Sequence, residues 1–223
     1  MFLLLIVVLH LRKLVFEMLE ALPEEKRIKP VYIVTSDTMV ENPIVKSYMH
    51  KMSKAIDVAS KEKKLNIQAH MIYPEVRHTF WSLVIGLGYP TPEPPGFRWC
   101  TERLKINPSN AFTYNTIKKD GEIVILLGVR KAESSARSRS ISSREIEGKI
   151  LTPHPHIAKA YVYSPLSEIS NDVVWSYLLR GDGKSAWNTD NSYLYSLYQG
   201  ETLGEEDSAI GQVDKDEMKV TGN

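Results

Sequence analysis

Three polar clusters hold the residues best able to do chemistry. The first, Thr35-Ser36-Asp37-Thr38, closes the β-branched and aromatic run Val31 to Thr35. Small hydroxyls and a carboxylate at a strand end can hydrogen-bond a ribose or a base edge, and the same residue types also close turns. The second is Arg98-Trp99-Cys100-Thr101-Glu102-Arg103-Leu104-Lys105, behind a proline-rich stretch. Arginine suits bidentate recognition of phosphate or sulfate. Cations around one thiol favour its reactive form, so Cys100 is expected to be more reactive than a buried cysteine. A solvated basic turn around a packed Trp99 is the plainer alternative. The third cluster runs from Gly128 to Arg137 (GVRKAESSAR). Glycine at a strand end lets a ligand approach the backbone closely. Arg130 and Arg137 could clamp an anion, with Glu133 orienting one of them.

Cys100 is the single cysteine of the chain, which excludes an internal disulfide framework and any multi-cysteine metal site built by this chain alone. Among the histidines His50, His70, His78, His154 and His156, only His154-Pro155-His156 is closely spaced. No carboxylate or cysteine set accompanies it, so no metal ligand is assigned.

The elements that must position these clusters follow from periodicity. Leu11, Leu14, Val15, Met18, Leu19 and Leu22 recur at three- and four-residue steps and line a helical face, ended by Pro23. Val31 to Thr35 and Ile67 to Ile72 read as strands. Asn42-Pro43 is a cap followed by a proline, which starts a helix. Phe80 to Ile85 suggests a short helix broken by Gly86 and Gly88, and Tyr89 to Gly96 an extended loop. Asn107-Pro108 reads as a second helix start, reaching about Lys118. Glu122 to Leu127 is expected to be a buried strand. Arg130 to Lys149 is rich in Arg and Ser, without periodicity, and is expected to be a mobile loop. Ala160 to Tyr163 is a last strand, and Ser170 caps a helix through Leu178. No internal repeat occurs.

Strands alternating with helices predict an α/β fold with a mostly parallel sheet flanked by helices, in which ligands bind beyond the carboxyl ends of the strands. All three clusters fall at such places. With 28 Lys and Arg against 27 Asp and Glu, no global basic excess forces a nucleic-acid reading, so any polyanion site must be a local patch. The first nine residues are apolar, but a membrane span needs about 20. The flanks of a signal peptide are missing too. No membrane association and a reducing, cytoplasmic setting are therefore expected. Residues 201–223 hold seven Asp and Glu and two Lys with no aromatic residue, which predicts a disordered acidic tail after a domain spanning 1–200.

The blocks RWCTERLKI (Arg98 to Ile106) and LGVRKAESSAR (Leu127 to Arg137) resemble those of the phosphoadenosine-phosphosulfate (PAPS) reductase family. The closer likeness is to its DNA phosphorothioation branch, the DndC-like sulfurtransferases. ALPEEKR, SDTMVENP, PEVRHTFW, KINPSNAF and YSPLSEISNDVVWSYL support it, in the family's order. The resemblance implies an adenine-nucleotide α-hydrolase-like fold, ATP binding, and ATP-dependent sulfur incorporation into the DNA backbone. It implies a 4Fe-4S cluster with Cys100 as its one candidate ligand in this chain, and catalytic roles for Cys100, Arg98 and Arg130. Nucleotide or substrate contacts would fall to Ser36, Asp37, Thr38, Arg103, Lys105, Gly128, Glu133, Ser134 and Arg137. The implied partners are DNA, other Dnd-system proteins and a cysteine desulfurase.

The sequence departs from the family at two places. The family's S-G-G-K-D-S loop, which holds the ATP pyrophosphate at a helix N-terminus, does not occur here, nor do further cysteines beyond Gly200. The expectation is a truncated copy lacking the first strand and phosphate loop, weakly active or inactive. The alternatives are a sulfonucleotide (PAPS) reductase-like enzyme and a non-catalytic subunit binding DNA or partner proteins.

Overall fold

In the computed structural model, residues 2–92, 99–146, 148–192 and 194–196 are described. The chain divides into two compact units: residues 1–18, 127–143 and 164–223 form one, and residues 19–126 and 144–163 the other.

The second unit carries all the strands. Strand β1 (Val31–Ser36) pairs in parallel with β2 (Ile67–Ile72), in a register running from Val31 opposite Ile67 to Ser36 opposite Ile72. Helix α2 (Pro43–Glu62) makes the crossover between them. It starts where the sequence predicts: the Asn42 side chain accepts from the Ile44 N–H at 2.8 Å, and Pro43, with no N–H to lose, occupies the first turn. Val45, Met49, Met52, Ile56 and Ala59 form its buried stripe. Buried Ser60 fastens its far end, donating to the Leu65 and Ile67 carbonyls and accepting from the Ile67 N–H.

The short α3 (Trp99–Thr101) runs through a wide π turn, Glu102–Ile106, into α4 (Asn107–Asp120). Helix α4 packs against β1, β2 and β3 (Ile123–Leu126), and Phe112 joins Tyr32 and His70 in an aromatic group. Strand β3 pairs in parallel with β5 (Ala160–Tyr163), whose other edge takes the short antiparallel β4 (Thr152–Pro153). The architecture is thus mixed α/β with two small sheets, one parallel and one mixed.

The first unit is built on α1 (Phe2–Ala21), α5 (Ser135–Ser142) and α6 (Asn171–Leu178). Val7 and Leu11 of α1 bury against Leu166, and Phe16 meets Trp187 edge to face. The apolar start and the predicted helix are one continuous helix, because nothing before Pro23 breaks it. No helix among the described residues is long and apolar enough to cross a membrane. Lys13 is buried because its ammonium donates to the Tyr177 and Lys184 carbonyls at 3.4 and 3.1 Å. The first of these lies in the last turn of α6, where the helix dipole favours a cation.

One expectation is met in part and two are corrected. Helix α4 begins at Asn107 with Pro108 in its first turn, but Asn107 does not cap it: Asn107 is itself helical at φ −61°, ψ −47°, and the chain is already helical from Trp99. The strand within Glu122 to Leu127 is not fully buried; Val124 and Leu126 are exposed, because β3 has only β5 as a neighbour. The Arg/Ser stretch is not all loop. Ser134 accepts from the Arg137 N–H at 3.1 Å and caps α5, which Ile141 anchors in the interior. The acidic segment 201–223 and residues 93–98 of the proline-rich stretch lie outside the described residues.

Candidate functional site

Helix α2 leaves the end of β1 through a tight turn that buries Asp37 and Thr38 almost completely. Asp37 Oδ1 accepts from the Met39 N–H at 2.8 Å, and Met39 takes the left-handed conformation (φ +64°) that closes the turn. Asp37 Oδ2 has no hydrogen-bond donor. Burying an ionised oxygen without one is costly, so counter-charges are needed. Lys46 Nζ supplies one from 3.7 Å, and His50 Nε2 lies at the same distance. They lie four residues apart, hence on one face of α2. Thr38 donates to Glu41 at 3.0 Å, and Lys105 approaches the same carboxylate at 3.9 Å. This places a carboxylate oxygen without a hydrogen-bond donor at the carboxyl end of a parallel strand, closed off from solvent.

Ser36 ties this strand end to the helix that bears Cys100, Arg103 and Lys105. Pro108 has no N–H, so the Leu104 carbonyl four residues earlier loses its helical donor. Ser36 Oγ donates to that carbonyl at 3.2 Å. The π turn at Glu102–Ile106 gives the proline ring room. Pro108 therefore does more than start α4: it couples the helix to the end of β1.

Cys100 is a free, half-buried thiol. Trp99 beside it is buried, donates to the Pro90 carbonyl at 2.9 Å and stacks on Phe80. Arg103 Nη1 lies 3.4 Å from His78 Nε2. Arg98 is outside the described residues.

The third cluster belongs to the first unit. Arg130 is buried, and its guanidinium is held from inside. Nη1 donates to the Ile169 carbonyl at 3.2 Å and Nη2 to Asn171 Oδ1 at 2.5 Å, while Nε is 3.9 Å from Glu133. Glu133 also accepts from the Arg130 N–H at 3.2 Å and meets Arg137 Nε at 3.3 Å, so it orients both arginines. Ser134 serves as the α5 cap. A Cβ at Gly128 would lie 2.9 Å from the Val8 Cα: the backbone that comes close here is α1.

The geometry thus brings Ser36, Asp37, Thr38, Arg103, Lys105 and Cys100 into one unit and Gly128, Arg130, Glu133, Ser134 and Arg137 into the other. Lys46, His50 and Asn171 are the residues the sequence reading missed. The i, i+4 spacing of Lys46 and His50 just after a capped helix start was the available signal. One thiol is too few for a cluster that takes four thiolate ligands, so the residues present do not fit 4Fe-4S and no step is derived through it. Among the described residues no group of three or more His, Cys, Asp or Glu is placed to hold a metal ion. No family model and no curated protein matches this chain.

Proposed function

We propose that this chain is a DndC-like member of the PAPS reductase family, by descent a sulfurtransferase of DNA phosphorothioation, with an adenine-nucleotide α-hydrolase-like fold. The observation that carries the reading is the link from Ser36 to the Leu104 carbonyl. It joins the SDTMVENP block to the RWCTERLKI block, two stretches distant in sequence, at the carboxyl end of a parallel strand. In this reading the strand end at Asp37 is where the adenosine moiety of ATP sits. Arg103 and Lys105 screen the charge that accumulates when a DNA phosphate is adenylated. A cysteine desulfurase supplies the sulfur, and the other Dnd-system proteins complete the assembly.

The S-G-G-K-D-S loop that would hold the pyrophosphate does not occur in these 223 residues, so the chain alone is expected to show little or no ATP-dependent activity. Titration of the purified protein with labelled ATP tests this. Saturable binding at micromolar concentrations would overturn it.

A second reading, a non-catalytic subunit that binds DNA or partner proteins, is favoured by Arg130. Its guanidinium is spent on Ile169 and Asn171 and is not presented to an anion. Salt-sensitive DNA binding with no nucleotide dependence would select that reading.

A further inference from the structure

We propose that the open face of the β3–β5–β4 sheet is where a second copy of this chain docks, face to face. Register fixes which residues share that face. In the parallel pair Val124 stands opposite Tyr161 and Leu126 opposite Tyr163; in the antiparallel pair Pro153 stands opposite Tyr161. Side chains directly opposite one another lie on one side of a sheet. Leu151, two residues before Pro153, takes the same side by alternation. Two cross-strand rows result, Val124–Tyr161–Pro153 and Leu126–Tyr163–Leu151. Ala160 and Val162 of β5 point to the other side and are buried.

The rows are open to solvent. Val124 is 49% exposed, Leu126 and Leu151 39%, and Tyr163 36%. Pro153 is exposed and Tyr161 half-buried. Parallel strands are normally covered on both faces. Here the side of Ala160 and Val162 is covered and the side of the two rows is not. The open face is also fixed before anything docks. Thr152 Oγ1 donates to the Val162 carbonyl at 3.3 Å. His154 Nδ1 accepts from the His156 and Ile157 N–H groups at 3.2 and 3.1 Å, which holds the connection between β4 and β5.

Area and charge select a second copy. Ile146 and Ile150, exposed on the stretch that leads into β4, extend the apolar surface. At roughly 200 Å² for a whole large side chain, the open fractions amount to about 550 Å² per copy. That is at the upper end for a lone soluble chain, where the largest apolar patch covers about 300–600 Å². Two such faces brought together remove about 1,100 Å² from water, enough for a specific interface of the weaker kind. The six residues of the rows include no ammonium, guanidinium or carboxylate. The face therefore has no charge with which to recognise a polyanion or a charged peptide, whereas an uncharged face matches itself. A two-fold dimer sets the same patch on both sides of its interface. Tyr161 and Tyr163 lie on the middle strand with aliphatic residues on either flank, where aromatic anchors concentrate binding energy. Sheets stacked about 10 Å apart interdigitate such side chains. The proposal is independent of the nucleotide and DNA reading.

The test is sedimentation velocity of the full chain at about 1 to 100 μM, the range for a small interface of ordinary quality. The proteins compared are wild type, Leu126→Lys, Tyr163→Ala and, as a control, Val58→Lys, which alters an exposed apolar residue on α2. The wild type is expected to form a reversible dimer with a dissociation constant of order micromolar. Leu126→Lys and Tyr163→Ala should each weaken it at least roughly tenfold, and Val58→Lys should leave it unchanged. The melting temperature of the wild type should rise with protein concentration, and those of the two face variants should not. At the lowest concentration all four should melt together, because the substituted side chains face solvent. The dimer should persist in about 0.5 M NaCl, since screening does not weaken apolar contact. A wild type that stays monomeric throughout the range would overturn the proposal. So would a dimer that both face variants leave intact, one that Val58→Lys weakens equally, or one that salt dissociates.

Discussion

His10 makes the stability of the first unit pH-dependent in a way that can be worked out. Its ring is buried within α1 and stacks on Tyr177 at 4.4 Å between centroids and 12° between planes. Burial, then the charges of Lys13 and Arg130, push its pKa from 6.5 down to about 4, against a smaller upward pull from Glu17. Tyr177 adds no charge, because burial and its hydrogen bond to Glu17 hold its hydroxyl protonated. The folded state therefore keeps His10 neutral while the unfolded chain takes up a proton. The stability from this group is fully present above pH 6.5 and drains away as pH falls toward 4. At about 1.4 kcal/mol per pH unit, roughly 2 kcal/mol is lost by pH 5 and about 3 kcal/mol at pH 4. At pH 5 that is roughly 4–8 °C in melting temperature for a chain of this size. His10→Phe keeps a ring against Tyr177, cannot titrate, and removes a buried Nδ1 that has no partner. Thermal melts of both proteins at pH 7.5, 6 and 5 supply the comparison. Other titrating groups cancel in it, His154 among them, which burial, His156 and Arg144 also hold below its usual value. The phenylalanine variant should lose several degrees less on acidification. Equal losses in the two proteins would refute the argument.

Two further predictions concern the backbone supports. Gly128→Ala places a Cβ 2.9 Å from the Val8 Cα of α1 and should cost about 1–3 kcal/mol, read from urea unfolding midpoints; a wild-type midpoint would show that α1 yields without cost. Ser36→Ala strips the Leu104 carbonyl of its donor and should cost about 1–2 kcal/mol in the wild type. The loss should be smaller in a Pro108→Ala background, where the helix can supply its own N–H, and strictly additive costs would separate the serine from the proline.

What the sequence disclosed and what it hid divide along the range of the interaction. Asn42-Pro43, Ser170 and the strand runs were legible because each is decided by neighbours within one turn. Pro108 was legible as the first turn of α4, but its further consequence was not, because that appears at Leu104 and is answered by Ser36, 68 residues from it in the chain. Arg130 illustrates the same limit at the candidate site. Its position after a strand marks it as a site residue, yet its direction is set by Ile169 and Asn171, 39 and 41 residues on. Local pattern can place a polar residue at the end of a strand. Whether its side chain faces a ligand or the interior depends on which carbonyls the rest of the fold leaves without a donor. Asp37 keeps an oxygen without a hydrogen-bond donor because Lys46 and His50 stop at 3.7 Å, whereas Arg130 meets acceptors close enough to bond. The difference between an oxygen left unbonded and a guanidinium held in place is here less than 1.5 Å in the placement of a partner.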